Sequence, residues 1–139
     1  NKADIRPGDR VAILAESCPD WAIADYAILM CGAVTVPIYP TQAVEQVGFI
    51  LRDSAARILF ISNQKQLKRV QSAIDSAKGE APRIIVFDEK SGGYETLRQF
   101  EAGGAEVAAT APERFDDRVC AEPVTMVVVV VITRLPSGC

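Results

Sequence analysis

Pro7-Gly8-Asp9-Arg10-Val11-Ala12-Ile13-Leu14-Ala15-Glu16-Ser17-Cys18-Pro19-Asp20-Trp21 reads as a turn, a strand and the start of a helix. Pro7-Gly8-Asp9 is turn chemistry, with Gly8 free to make the tight entry. Arg10 to Ala15 is an apolar run of strand length. Ser17 or Cys18 then stands at a helix cap, with Pro19 in the first turn, where its missing N–H costs nothing. The helix Asp20 to Cys31 is apolar nearly all round, through Trp21, Ile23, Ala24, Ala27, Ile28, Leu29 and Met30. Such a helix is expected to be buried on more than one side. Gly32 ends it, and Ala33 keeps the corner small.

The same alternation continues outward. Val34 to Tyr39 is a second strand whose Pro37 argues for a sheet edge or for a strand's last residues, because proline cannot donate to a ladder. Thr41 is expected to cap a helix from Ala43 to Asp53, with Val47, Ile50 and Leu51 on one face. Arg57 to Ser62 is a third strand. Asn63 caps a helix from Gln64 to Lys78 in which Leu67, Val70, Ala73 and Ile74 form the buried stripe, leaving Lys65, Lys68, Arg69, Asp75 and Lys78 on the more solvated side. Gly79 and Pro82 introduce strand Arg83 to Asp88, and Ser91-Gly92-Gly93 is a loop. Tyr94 to Ala102 reads as a short helix with Leu97 and Phe100 toward the core. Residues 105–119 are irregular, and Val124 to Ile132 is a fifth strand of almost pure valine, covered on both faces. Strands alternating with helices give an α/β fold, a mostly parallel sheet of about five strands flanked by helices in three layers. Residues 1–123 form the α/β unit, and 124–139 the valine-rich strand with its tail.

Composition narrows the chemistry. The chain has 139 residues, 49% of them hydrophobic, a net charge of −3 and no His. Basic and acidic residues are interspersed, so no cationic stripe exists for a nucleic-acid backbone. Without His, the commonest general base, metal ligand and pH switch are missing. Cys18, Cys31, Cys120 and Cys139 are widely spaced and form no CxxC pair. A disulfide or metal framework is not expected; Cys18, Cys31 and Cys120 are read as buried thiols in a reducing, cytoplasmic setting, and Cys139 as an exposed terminal thiol. No signal peptide opens the chain, and Val124 to Ile132 falls well short of the roughly 20 apolar residues a spanning helix requires. The start at Asn1, without an initiator Met, predicts residues upstream.

The order of particular residues adds a resemblance. Pro7 to Leu14 is followed by Glu16-Ser17-Cys18-Pro19-Asp20-Trp21, then Ala27-Ile28-Leu29-Met30-Cys31-Gly32-Ala33-Val34 and Val36-Pro37-Ile38-Tyr39-Pro40-Thr41. This resembles the opening of the acyl-CoA synthetases of the adenylate-forming, AMP-binding superfamily. Tyr39-Pro40-Thr41 and the run Glu45-Gln46-Val47 to Asp53-Ser54 lean toward the long-chain fatty-acid–CoA ligases, and the likeness extends from Ile5 to Asp88. It implies fatty-acid activation with ATP, Mg²⁺ and coenzyme A: an acyl-adenylate forms, pyrophosphate leaves, and coenzyme A displaces AMP. Full-length enzymes of this kind would be cytoplasmic, with peripheral membrane association open to them.

The pattern then breaks. The resemblance implies a Thr/Ser/Gly-rich phosphate loop with a Lys, directly after the strand at Val127 to Ile132. Instead Thr133-Arg134-Leu135-Pro136-Ser137-Gly138-Cys139 has the wrong order and no Lys. The adenine segment, the ribose-binding acid and the carboxyl-terminal lid are also absent. Gly92-Gly93 and Gly103-Gly104 are plain loops, and Asp88-Glu89 and Asp116-Asp117 are read as solvated charge. No catalytic, cofactor-binding or metal residue is therefore assigned, and the chain alone is expected to be inactive. For Pro37, Tyr39 and Pro40 the first reading is a rigid strand exit; the functional one has Tyr39 or Thr41 lining a substrate cleft at a strand's carboxyl end. The alternative function is a stand-alone α/β module that docks a nucleotide or a protein. Self-association through an exposed edge strand or apolar surface is a further expectation.

Overall fold

A computed structural model describes residues 5–76, 81–90, 92–100 and 102. In chain order they form β1 (Arg10–Leu14), α1 (Pro19–Met30), β2 (Val34–Ile38), α2 (Val44–Ser54), β3 (Ile58–Ile61), α3 (Gln64–Asp75), β4 (Arg83–Val86) and β5 (Glu95–Thr96). The five strands form one sheet in the order β2-β1-β3-β4-β5, and every neighbouring pair is parallel. The α/β, parallel-sheet expectation holds.

The pleat sorts the core into two halves. Val11, Ile13, Ile58, Phe60 and Ile85 pack on one face with Ala24, Ala27 and Ile28 of α1. Ala12, Leu14, Leu59, Ile61 and Val86 pack on the other with Val47 and Leu51 of α2 and Leu67, Val70 and Ile74 of α3. Consecutive residues of β1 and β3 are thus buried on opposite sides, which is why both read as unbroken apolar runs. Gly48 makes the approach of α2 to α3 close: a Cβ there would stand 3.4 Å from the Ala73 Cβ.

Several details differ from the sequence expectation. Glu95–Thr96 is a strand, and the helix begins only at residue 97; pairing with β4 captures the two residues, and Arg83 donates to both carboxylate oxygens of Glu95 at 2.8 Å. Leu97 and Phe100 are buried as expected. Helix α1 is not buried on several sides: Tyr26, Leu29 and Met30 are exposed. Thr41 does not cap α2; the N-cap is Ala43, with no side-chain bond. Cys18 is half-buried, whereas Cys31 is buried. The valine-rich segment, the tail, Gly103-Gly104, Asp116-Asp117, Cys120 and Cys139 lie outside the described residues.

Among the described residues β2 is an edge strand, and Pro37 stands next to its last residue, so both readings of this proline fit. The Val34 N–H donates to Asp9 O at 2.8 Å, so Val34, Val36 and Ile38 turn their backbone groups toward β1. Thr35 and Pro37 turn theirs outward, and Pro37 has no N–H to offer.

The amino-terminal side of the sheet is tied by Asp9. Its carboxylate accepts from the Arg6 N–H at 2.8 Å and from Arg57 Nη1 at 2.9 Å. Desolvation pushes this carboxyl up, but the Arg6 and Arg57 hydrogen bonds and the charges of Arg57 and Arg10 outweigh it, leaving the pKa lowered. A lowered folded-state value gives stability that is complete above the unfolded value and is lost as pH falls through the folded one. Asp9→Asn should therefore cost about 0.5–1 kcal/mol at pH 7, a modest figure because the pair is partly exposed. The cost should vanish near pH 2 in urea melts; an equal loss at both pH values would contradict this account.

Candidate functional site at the carboxyl ends of the strands

In the order β2-β1-β3-β4-β5, the connections after β1 and β3 leave in opposite directions, so the sheet has a switch point between these two strands. Open α/β sheets bind ligands in the crevice outside such a point. Here the crevice is bounded by Glu16 and Ser17 after β1 and by Ser62 and Asn63 after β3. The loop 39–43, after β2, lies alongside.

Polar side chains knit this rim together. Asn63 caps α3, its Oδ1 accepting from the Gln66 N–H at 3.0 Å. The Gln66 side chain leaves the helix: Nε2 donates to Glu16 Oε1 at 3.3 Å, and Oε1 accepts from Arg69 Nε at 2.8 Å. Arg69 also donates from Nη1 to Gln42 O and from Nη2 to Pro40 O, both at 2.7 Å. Loops after β1, β2 and β3 are thus joined through one turn of α3. The solvated place expected for Arg69 is corrected: its guanidinium is half-buried and engaged at all three nitrogens. Arg69 was missed because nothing along the chain separates it from Lys65 and Lys68, which are exposed.

Glu16 is the carboxylate of the crevice. Its own backbone N–H lowers its pKa most, partial burial works against this, and Ser62 and the Gln66 amide lower it further. The Ser62 hydroxyl is directed at this carboxylate without completing a hydrogen bond, and its buried oxygen has no other partner among the described residues. Tyr39 and Thr41 are both exposed on the loop after β2; Tyr39 donates its N–H to Gln42 Oε1 at 3.2 Å. An open groove lined by Gln42, Glu45, Gln46, Phe49 and Ile50 borders this loop. Asp88 and Glu89 are exposed beyond β4, and the described residues contain no cluster of three metal-ligating side chains. The rim offers a carboxylate acceptor at Glu16 beside neutral donors and acceptors. Arg69, half-buried among the described rim residues, is engaged by the Gln66 amide and two backbone carbonyls, so it offers polyphosphate little compensation.

The family model for AMP-binding enzymes matches residues 1–126. The chain is similar to long-chain-fatty-acid–CoA ligase FadD15 of Mycobacterium bovis, at 36% identity over 97% of the chain and 22% of that protein. FadD15 of Mycobacterium tuberculosis is 35% identical over the same shares. The chain thus spans about a fifth of the length of these curated relatives. Among solved structures, it is similar to the luciferase-like enzyme of the nonluminescent mealworm Zophobas morio: TM-score 0.62, 28% identity, 68% of this chain and 22% of that one.

Proposed function

The chain belongs to the AMP-binding enzyme family, and from that premise we propose that it forms the front portion of an ATP-dependent long-chain fatty-acid–CoA ligase. The match to the mycobacterial ligases over 97% of the chain carries this proposal. The complete enzyme would take a fatty acid, ATP with Mg²⁺ and coenzyme A, and would make the acyl-adenylate before the thioester. It would work in the cytoplasm; no described helix is long and apolar enough to cross a membrane.

Within that enzyme, residues 1–123 serve as scaffold. The parallel sheet sets the floor of the crevice, and Tyr39 and Thr41 line the substrate cleft from the β2 side. The phosphate cradle lies elsewhere, because a triphosphate needs several convergent N–H donors and a Lys. The rim built by Glu16, Gln66 and Arg69 supplies a carboxylate and an occupied guanidinium instead.

Isothermal titration of the 139-residue chain with ATP, with and without Mg²⁺, tests this division of labour. No binding tighter than about 1 mM, or −4.1 kcal/mol, is expected, and no thioester should form from fatty acid, ATP and coenzyme A. Micromolar ATP binding would replace the scaffold role with that of a stand-alone nucleotide-binding module.

A further inference from the structure

Helix α3 begins with Asn63-Gln64-Lys65-Gln66, the spacing of a capping box, in which the third helical residue ordinarily reaches back to the cap N–H. Only half the box is made. Asn63 accepts from the Gln66 N–H, whereas the Gln66 side chain points away to Glu16 and Arg69. The amide has one orientation that suits both neighbours. A carboxylate only accepts and a guanidinium only donates, so Nε2 must face Glu16 and Oε1 must face Arg69. Turning the amide over would break both bonds at once. Each of Arg69's remaining two nitrogens holds a carbonyl of the next loop, at Pro40 and Gln42.

We propose that Gln66 is a coupling residue: through Arg69 it transmits the position of Glu16, at the β1 end of the crevice, to the loop 39–43 at the end of β2. Gln66 makes no hydrogen bond to Pro40 or Gln42, so its polar link to them runs through the guanidinium. With Gln66 in place, Arg69 is held at Nε and its two outer nitrogens are aimed at the loop. Without it, Arg69 is free to follow water, and the loop loses its anchor on α3. A group that draws Glu16 away would loosen the same loop from the far side of the crevice.

The loop carries two reporting amides. The Tyr39 N–H donates to Gln42 Oε1, and the Gln42 N–H donates to Tyr39 O at 3.1 Å. Amide hydrogen exchange on the whole chain should show both accelerating about tenfold in Gln66→Ala. The Arg57 N–H, bonded to Arg10 O at 2.9 Å on the opposite side of the sheet, should keep its rate and so exclude global loosening. Arg69→Lys should also lose protection, because an ammonium carries its three donors on one nitrogen and cannot match acceptors set around three separate guanidinium nitrogens. Should Gln66→Ala not fold, Glu16→Ala removes the exposed partner instead and should accelerate Tyr39 and Gln42 several-fold. Unchanged loop exchange in the folded variant overturns the coupling, as does acceleration that appears equally at Arg57.

Discussion

Phe60→Ala is expected to destabilise the chain by about 4 kcal/mol, the largest effect of any single substitution considered for this protein. Phe60 is fully buried in β3, with its ring centroid 5.8 Å from that of Phe87 and 6.1 Å from that of Phe100. The Phe100 pair is nearly perpendicular, at 80°, which sets the positive edge of one ring against the negative face of the other. Phe100 is covered in turn by the Arg83 guanidinium, 5.2 Å from its centroid. Truncation leaves a ring-sized void that Phe87 and Phe100, held by different parts of the chain, cannot close together. Since domains of this kind hold a margin of about 5–15 kcal/mol, such a loss removes a large part of it. Urea denaturation should show a lower midpoint with unchanged slope, and Phe60→Leu should recover more than half of the difference. A Phe60→Ala loss below about 1 kcal/mol would mean that the aromatic cluster is not the centre of this half of the core.

The second large effect is expected at Gly32, where α1 gives way to β2. Its backbone is left-handed, at φ +68°, and a Cβ would meet the Pro7 Cβ at 3.3 Å. The Gly32 carbonyl also accepts from the Gly8 N–H at 2.8 Å, so the corner cannot simply swing away. Gly32→Val combines left-handed strain with β-branched crowding against Pro7, and should cost about 2–3 kcal/mol. Gly32→Asn, a residue that tolerates this region, should cost about half as much. Thermal unfolding of the two variants provides the comparison; equal midpoints for valine and asparagine would show that strain at this corner is not what the glycine relieves.

The parts of the fold that could be read along the chain are those governed by periodicity. Strands β1 and β3 announced themselves because both of their faces are covered, and α3 did because Leu67, Val70 and Ile74 recur on one face. Asn63 was visible as a cap because its side chain acts within one turn. Other features had no local signature. Helix α2 stops at Ser54 with Ala55 in the left-handed region, φ 47°, where a glycine would have marked the end; Arg10, which donates from Nε to Ser54 O at 2.6 Å, comes from β1, 44 residues earlier. Glu95–Thr96 became a strand through its partner β4 rather than its own propensity. The candidate crevice was the least legible element. Its position follows from strand order, and its linkage follows from a long-range meeting of Glu16, Gln66 and Arg69 that no spacing records.

Pro37 leaves the sheet with a direction of growth. On the β2 side, a newcomer would find the Thr35 N–H and then a ring carbon where the next donor should be, so a parallel ladder stalls after one rung. On the far side, β5 is only two residues long and interposes no proline. A further strand would therefore join this sheet beyond β5, and the β2 margin behaves as a finished selvage against which other surfaces pack by side chain alone.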